Sequence, residues 1–453
     1  MKTYLKIADE IEAGIVKGMF REGEKLPPQR IFAYDYNVAP STVTRAYGEL
    51  VRRGLVKGEV GRGTFVSPSS PENEALSLAE ARQDLPVDLE VNFPIMAQQE
   101  HLLKEGLLRL IGSENLGQAF RPISRFSRGK GAHDRTAADF MASGIWKPDV
   151  SSIHFAGGGR QAIAASLSAL VPIGGSLAIE ALTYPLVKAV ASRLGIRLVP
   201  IAMDREGIIP EALIKAHMQH AFGAVYFQSA IHNPTGSVMG PDRRLALADS
   251  IRRLDINGVE DSVYRFLLGK NFKPVTAYAP DHIILLDSFS KRLSPGLNLG
   301  VMSVPARLSK SVEAALLQGG WSAGQFAIQL CMEWVKDGTV RKLELAKRAD
   351  ARARQRFVED IFRGCAVKRH GSAYHIWLEL PVPWRSLLFV ERAAKLGLAL
   401  AAGSAFAADS AYSPPAVRVA LAAPSLGVLE TSLRDLRALM EAGPDSFYHH
   451  NQG

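Results

Sequence analysis

The sequence DSFSKRLSPGLNLG, residues 287–300, sets a lysine among small hydroxyl residues, between an apolar run and a glycine-containing turn. The apolar run is IILL, residues 283–286, which has the composition of a buried strand. Taken alone, Lys291 is most simply a solvated charge at a strand end, because lysine is rarely buried without a partner. The rest of the chain therefore decides whether this amine has a chemical role.

The composition is that of a globular protein with more than one domain. The chain has 453 residues, 47% of them hydrophobic and 22% charged, and a chain of this length usually divides into two or three cores. Cys331 and Cys365 have neither disulfide nor zinc-site spacing, which is typical of a reducing compartment. No run approaches the roughly twenty apolar residues of a membrane helix, and the N-terminus does not resemble a secretory signal. We expect a cytoplasmic protein without a metal site.

Residues 1–67 have the pattern of a small self-contained domain. Three helical stretches precede two β-prone runs on either side of residues 58–63. Three helices followed by a hairpin are the elements of a winged helix-turn-helix domain. The formal net charge of +9 is compatible with a polyanionic partner, but it is not concentrated in this region, so composition alone does not identify DNA.

The remainder of the chain differs from residues 1–67 in composition and in hydrophobic pattern. Residues 68–90 are rich in proline, serine and acidic residues without a regular period, which predicts a linker. Residues 91–445 alternate β-prone runs such as SLAIEA, AVYFQSA and HIILLDS with amphipathic helical segments. This alternation predicts an α/β domain with a parallel sheet covered by helices. Near the C-terminus, GSAYHIWLELP and AVRVALA predict a smaller α+β subdomain.

Three segments of this second domain place polar or glycine residues where strands are expected to end. HFAGGGRQAIAAS, residues 154–166, leads from a strand into a helix, where free backbone amides favour a phosphate, although such turns are often only tight connections. IHNPTG, residues 231–236, presents Asn233 in what can be an ordinary Asn-Pro turn. VEDSVYRF places Asp261 three residues before Tyr264, where an acid can simply cap a helix.

In order and spacing, these segments resemble the fold type I pyridoxal 5'-phosphate enzymes, the aspartate aminotransferase group. The resemblance implies that Lys291 forms an imine with the cofactor aldehyde and that Asp261 pairs with the pyridine nitrogen. Asn233 and Tyr264 would hydrogen-bond the ring oxygen, and Tyr184, in ALTYP, would stack on the ring. The cofactor phosphate would lie against Gly158, Gly159, Arg160, Ser288 and Ser290.

Two further positions bear on how such a site would work. Arg418, in PPAVRVALAAP, matches the arginine that grips the substrate carboxylate in this group, although in isolation it would be a surface ion pair. The group usually has an arginine in a G-x-R-x-G turn after the lysine, whereas this chain reads GLNLG with Asn298 there. Losing that charged hydrogen bond to a dianion costs roughly 1.5–3 kcal/mol. Arg160 and Arg292 are the candidates to replace it.

In the first domain, LPPQR followed by NVAPSTVTRAYGELVRRGLVKGEVGRGTFV resembles the DNA-binding domain of the GntR family of bacterial regulators. The resemblance implies that Arg30, at the start of the second helix, contacts DNA and that Arg62, at the wing tip, approaches the backbone or minor groove. The residues presented to the major groove would be Ser41, Thr42, Thr44 and Arg45. The alternative is that these are only exposed polar residues on a small helical domain, and it applies most to Arg52, Arg53 and Lys57.

A winged helix joined by a linker to an aminotransferase-like domain is the architecture of the MocR subfamily of GntR regulators, which the whole chain resembles. The resemblance implies a pyridoxal-phosphate-binding regulator that binds operator DNA and responds to a small amine, amino-acid or carboxylate effector. It also implies a homodimer, because fold type I sites lie at a dimer interface and two winged helices would read two half-sites. Two alternatives stay open: a working aminotransferase that carries a DNA-binding module, and an effector domain that binds no cofactor.

Overall fold

The chain folds as two compact units in a computed structural model. One unit comprises residues 1–81 with 409–413, and the other comprises residues 82–408 with 414–453. The structure describes residues 4–16, 19–20, 24–52, 55–59, 63–66, 85–112, 114–120, 131–144, 146–409 and 414–444. Within these ranges no helix combines the length and the apolar composition that a bilayer crossing requires.

The first unit is built from three helices and a two-stranded hairpin. The helices are α1 (Tyr4–Val16), α2 (Gln29–Asp35) and α3 (Pro40–Arg52), and the strands are β1 (Val56–Glu59) and β2 (Gly63–Val66). The strands pair antiparallel, with Val56 opposite Val66. Apolar residues at the helical period, including Ile7 and Ile11 on α1 and Val43 on α3, form its buried core. The winged helix-turn-helix elements predicted from the sequence are confirmed.

The second unit combines a large α/β domain with a smaller α+β subdomain. Its strands are β3 (Val87–Asp88), β4 (Ile153–Ala156), β5 (Ser176–Glu180), β6 (Arg197–Ile201), β7 (Met203–Asp204), β8 (Gly207–Ile208), β9 (Ala224–Phe227), β10 (Asn257–Asp261), β11 (Ile283–Ser288), β12 (Gly300–Ser303), β13 (Val367–Arg369), β14 (His375–Glu379), β15 (Leu398–Ala399), β16 (Ala401–Ala402) and β17 (Ala416–Ala420). Its α-helices are α4 (Gln99–Ile111), α5 (Ala132–Met141), α6 (Gly159–Leu170), α7 (Pro185–Arg193), α8 (Pro210–Gln219), α9 (Pro241–Arg253), α10 (Phe289–Arg292), α11 (Ser309–Gln318), α12 (Gln325–Lys336), α13 (Thr339–Ile361), α14 (Ser386–Lys395) and α15 (Leu426–Ala442).

A seven-stranded sheet forms the centre of the large domain, with strand order β4-β12-β11-β10-β9-β5-β6. Strands β6, β5, β9, β10 and β11 are parallel to one another, as the sequence predicts, whereas β12 runs antiparallel to both its neighbours. The second and last residues of DSFSKRLSPGLNLG pair across this last junction, with Ser288 opposite Gly300. The stretch thus makes the return from β11 to β12 and carries the short helix α10.

Helices cover both faces of the sheet, because the central strands are apolar on both sides. On one face, side chains such as Leu177 and Ile179 pack with residues of α6, α7 and α11. On the other face, alternating residues such as Ala178 and Val225 pack with residues of α8 and α9. This burial leaves the strand ends as the places where polar side chains gather.

The smaller subdomain is a four-stranded sheet with strand order β13-β14-β17-β16, and α13, α14 and α15 contribute to its core. Strand β3 pairs in parallel with β15, with Val87 opposite Leu398. Ordered structure of the second unit therefore reaches into the stretch predicted to be linker, because Val87 and Leu89 are apolar residues that join this core.

Candidate functional site

The carboxyl ends of the parallel strands bring the predicted segments to one edge of the sheet. The Gly158–Gly159 turn follows β4, Tyr184 follows β5, and Asn233 lies on the loop after β9. Asp261 is the last residue of β10, and Lys291 lies on α10 directly after β11. Ligands of open α/β sheets bind at this edge.

Lys291 is not a solvated charge. Its Nζ donates to the backbone carbonyl of Asn92 at 2.7 Å and lies 3.4 Å from the centroid of the Phe93 ring. Burial, followed by the positive charges of Arg418 and Arg160, holds the pKa of the Lys291 amine well below its usual range. A lysine in such surroundings loses its proton readily and becomes a nucleophile.

Asp261 is a buried carboxylate held by uncharged donors. Its Oδ2 accepts hydrogen bonds from the Tyr226 hydroxyl at 2.7 Å and from Gln228 Nε2 at 3.3 Å, and its Oδ1 accepts from Val263 N at 3.2 Å. Burial raises the pKa of Asp261. A buried carboxylate whose hydrogen-bond donors are uncharged gains free energy from a cationic group placed beside it, as a protonated pyridine nitrogen would be.

Arg418 is a buried guanidinium on β17, so the surface-ion-pair alternative is wrong. Its Nη1 donates to Asn233 Oδ1 at 3.4 Å, and its Nη2 donates to the backbone carbonyl of Glu90. Within the described part of the chain, the buried Nε–H has no hydrogen-bond partner. An arginine with one donor free in a buried site suits a carboxylate ligand, because the guanidinium binds that group with two parallel hydrogen bonds.

A narrow backbone turn precedes α6 and faces the start of α10. A Cβ atom added to Gly159 would lie 3.3 Å from the Ser288 Cβ, a tight contact that would push the two segments slightly apart. Ser288 caps α10 by accepting a hydrogen bond from Ser290 N at 3.2 Å. The hydroxyls and the free amides of α6 therefore lie together in a cradle that suits a phosphate.

The arginine missing from the GLNLG turn has one candidate replacement at this cradle. Asn298 Oδ1 would lie 3.8 Å from a Cβ atom on Gly158, so Asn298 does stand beside the turn. Arg292 is buried in ion pairs with Asp287 and Glu344, which leaves it no free role. Arg160 is exposed in the first turn of α6, so it stays the candidate cation for the phosphate.

Tyr184 and Tyr264 flank the lysine side of the site. Burial raises the pKa of the Tyr184 hydroxyl, and the Arg160 guanidinium beside it opposes the shift. Tyr264 accepts a hydrogen bond from Asn92 Nδ2 at 3.1 Å, and its ring centroid lies 5.7 Å from Lys291 Nζ. Both hydroxyls stay protonated at neutral pH and so can donate to an anionic oxygen.

Several residues of the site escaped the sequence analysis. Asn92 Nδ2 contacts His375 Nδ1 at 3.2 Å, and His375 Nε2 contacts the backbone carbonyl of His232 at 2.9 Å. Glu180 Oε2 lies 3.1 Å from His232 Nε2, and both side chains are fully buried. In the sequence, His232 lies within IHNPTG and Asn92 lies within VNFPI, and these short motifs are the features that could have pointed to the two residues.

Lys347 supports the helix that carries Lys291. Its Nζ is buried and donates to the backbone carbonyls of Lys291 at 3.2 Å and Leu293 at 3.1 Å. Burial lowers the pKa of Lys347 to about 7. This side chain ties α10 to the long helix α13 and fixes the position of the reactive amine.

In the first unit, most of the predicted DNA contacts lie on accessible surface. Ser41, Thr44 and Arg45 are exposed on α3, Thr42 is partly exposed, and Arg30 is exposed on α2. The Arg45 guanidinium packs 4.4 Å from the centroid of the Tyr4 ring, which orients it. Thr44 Oγ1 donates to Gln29 Oε1 at 2.7 Å. The predicted contact Arg62 lies outside the described residues, as do Arg53 and the side chains of Arg52 and Lys57.

Known families match both parts of the chain. Residues 3–66 match the family described as bacterial regulatory proteins, gntR family, and residues 101–434 match aminotransferase class I and II. The chain belongs to the GntR regulators fused to an aminotransferase domain, the MocR subfamily. The order of the two domains and the fold of each are those predicted from the sequence.

Individual relatives of this MocR protein resemble it over nearly the whole chain. An uncharacterized HTH-type transcriptional regulator of Bacillus subtilis strain 168, YdeF, is 30% identical and covers 97% of this chain and 94% of its own. The vitamin B6 salvage pathway transcriptional repressor PtsJ of Salmonella typhimurium strain LT2 is 27% identical over 89% of this chain and 91% of its own.

A solved structure resembles the second domain in fold. It is the Pyrococcus horikoshii kynurenine aminotransferase in complex with PMP, with 22% identity, a TM-score of 0.70, and coverage of 82% of this chain and 94% of its own. The aminotransferase fold predicted for the larger domain is therefore confirmed.

The buried His375 predicts an acid-sensitive second unit. Burial lowers the pKa of His375 to about 3, whereas an unfolded histidine titrates near about 6.5. The unfolded state therefore binds the extra proton between these values, and the unfolding free energy falls by about 2 kcal/mol from pH 7 to pH 5. All five tryptophans lie in this unit, so their fluorescence reports its thermal midpoint.

The expected result is a smaller acid-induced fall of that midpoint in His375→Gln than in the wild type. His101→Gln, at an exposed position of α4, serves as the matched control and should titrate like the wild type. Equal pH profiles for all three proteins would show that folding does not lower the pKa of His375.

Proposed function

We propose that this chain is a DNA-binding transcriptional regulator that holds pyridoxal 5'-phosphate on Lys291 and binds a small amino-acid effector at Arg418. The observation that carries the proposal is the meeting of a lysine amine of lowered pKa, a buried carboxylate and a buried guanidinium at one sheet edge. The glycine cradle at Gly158 and Gly159 adds a place for a phosphate.

The residues present fit the cofactor. When bound, pyridoxal phosphate supplies an aldehyde that captures amines and a ring that withdraws electrons. Lys291 provides the amine, and Asp261 holds a proton on the pyridine nitrogen through its buried negative charge. Asn233 and Tyr264 provide polar atoms for the ring oxygen, and Tyr184 provides an aromatic face. The residues that would hold the phosphate are Gly158, Gly159, Arg160, Ser288 and Ser290.

The effector class follows from the guanidinium of Arg418 and the amine of Lys291. An amino acid has a carboxylate for Arg418 and an amine that competes with Lys291 for the cofactor. Such a ligand changes operator affinity only if it binds two conformations of the regulator unequally. We include a homodimer in the proposal, because two winged helices read two half-sites.

The names of the relatives favour a regulator. YdeF is described as an HTH-type transcriptional regulator and PtsJ as a transcriptional repressor of vitamin B6 salvage. The description of PtsJ connects a relative of this architecture with vitamin B6 metabolism, which is in keeping with a cofactor-responsive site here.

The DNA-binding half of the proposal predicts a loss of operator affinity in Arg45→Ala. A guanidinium that reads a base edge contributes about 1–3 kcal/mol, so we expect a decrease of roughly 5-fold to 150-fold. An operator selected from random DNA and titrated by fluorescence anisotropy provides the measurement. Arg30→Ala should also weaken binding and reduce its salt dependence, because a lost phosphate contact releases fewer counterions.

The matched control is Arg363→Ala, which removes an arginine at an exposed position of the second unit. It should leave operator affinity and the salt slope unchanged. Wild-type binding that is independent of salt, or equal losses in Arg45→Ala and Arg363→Ala, would count against DNA recognition by α3.

A working aminotransferase is the second candidate, favoured by the presence of Lys291, Asp261 and Arg418 in one site. Incubation with a panel of L-amino acids and a 2-oxo-acid acceptor distinguishes the two functions. Sustained transfer over many turnovers would identify an enzyme. Conversion of no more than one equivalent per site, together with altered operator affinity, would identify a sensor.

A further inference from the structure

The segment at residues 88–93, called the strap below, lies across the candidate effector site. The Asn92 carbonyl accepts from Lys291 Nζ at 2.7 Å, and the Glu90 carbonyl accepts from Arg418 Nη2. The Phe93 ring lies 3.4 Å from the same Lys291 nitrogen. Two backbone carbonyls of one short segment thus hold the amine and the guanidinium to which the proposed function assigns the cofactor and the effector.

The shape of the strap is set by one side chain. Asp88 Oδ1 accepts hydrogen bonds from Glu90 N and Val91 N, each at 2.8 Å, and so turns the chain. Leu89, within the turn, is fixed to the subdomain: its N–H donates to Ala399 O at 3.0 Å and its carbonyl accepts from Ala420 N at 2.7 Å. The turn at Asp88 therefore directs the Glu90 carbonyl to the Arg418 guanidinium and the Asn92 carbonyl to the Lys291 amine.

The strap carbonyls and the ligands compete for the same donors. An aldehyde bound to Lys291 as a neutral imine would replace both N–H bonds of the amine by one C=N bond, with the two hydrogens and the aldehyde oxygen leaving as water. The neutral imine nitrogen would then have no hydrogen to donate to the Asn92 carbonyl. An effector carboxylate that takes the unpartnered Nε and the Nη2 of Arg418 likewise displaces the Glu90 carbonyl.

We infer that the strap is a tethered occupant of the effector site, which cofactor and effector must displace. This inference rests on the proposed function. The strap lies near the N-terminal end of the second unit, which begins at residue 82, so it is close in sequence to the segment that leads to the DNA-binding domain. A ligand that binds only the strap-free form has its apparent affinity reduced by the fraction of molecules in that form.

We test whether the strap limits cofactor binding by measuring the apparent dissociation constant of pyridoxal phosphate alone in Asp88→Ala and Asp88→Asn. Alanine removes the acceptor of two backbone hydrogen bonds, so we expect the apparent dissociation constant to fall roughly fivefold to tenfold. Asparagine keeps an acceptor but removes the charge, and should bind the cofactor like the wild type. Asp149→Ala removes a similar turn, ahead of β4, and controls for a general loss of stability.

Amide hydrogen exchange of the wild type provides a second readout that needs no variant. Exchange in residues 89–93 should accelerate when pyridoxal phosphate is added, and should already be fast in cofactor-free Asp88→Ala.

Unchanged or slower exchange in the loaded wild type would overturn the inference, as would equal cofactor affinity in Asp88→Ala and the wild type. If Asp88→Asn matched Asp88→Ala, charge rather than the turn would control binding and the inference would also fail. Complete absence of cofactor binding to the wild type would instead overturn the proposed function, and this inference with it.

Discussion

Lys291→Ala is expected to lose covalent retention of pyridoxal phosphate completely. The wild-type protein, loaded and passed through gel filtration, should keep a visible absorbance band and, after borohydride reduction, a mass increase located on Lys291. The physical reason is the lowered pKa of this amine, because a larger fraction of it is the neutral nucleophile at a given pH than in an exposed lysine. In the variant the cofactor has only non-covalent contacts and should wash off with loss of the band.

Lys310→Ala is the matched control, because Lys310 is an exposed lysine on α11 of the same unit. It should retain the cofactor like the wild type. A reduced adduct on any other lysine, or full retention by Lys291→Ala, would contradict the assignment of Lys291 as the covalent anchor.

Arg418→Lys is expected to keep the cofactor but lose most of its response to amino acids. A lysine replaces a forked pair of charged hydrogen bonds with a single point charge. The loss of about 1.5–3 kcal/mol corresponds to a half-saturating concentration raised roughly tenfold to more than a hundredfold. The measurement is the change in the visible spectrum on titration with whichever L-amino acid gives the largest change in the wild type.

Arg434→Lys, at an exposed position of α15, controls for arginine replacement in the same subdomain. Its response should be that of the wild type. An unaltered half-saturating concentration in Arg418→Lys would place the effector carboxylate elsewhere, while loss of the cofactor band would assign Arg418 to cofactor binding instead.

The fold of both units could be predicted because their patterns are local. The helical period of α1 and α3 and the apolar runs of β5, β9 and β11 are properties of short windows of sequence. The antiparallel direction of β12 could not be predicted, since it depends on pairing with β4, nearly 150 residues earlier, where Gly300 lies opposite Ala156. Strand β3 was not predicted for a similar reason, because its partner β15 lies far along the chain.

The residues of the site that lie in short motifs could be predicted from the sequence, whereas the residues that connect them could not. Lys291, Asp261 and Asn233 lie in short segments whose order resembles a known family. The contacts of Asn92 with Tyr264 and His375 bridge 172 and 283 positions, and no short-range pattern encodes such distances. The sequence also left Arg160 and Arg292 as equal replacements for the arginine absent at Asn298, and only the burial of Arg292 against Asp287 distinguishes them.

The central claim is that the occupied site of the second unit changes DNA binding by the first. The most direct measurement is the operator affinity of the cofactor-loaded wild type, with and without the amino acid found in the spectral titration, by fluorescence anisotropy. An allosteric coupling of ordinary size predicts a change of roughly 5-fold to 150-fold in the wild type and none in Arg418→Lys at the same concentration. The same operator affinity with and without a bound amino acid would contradict the account.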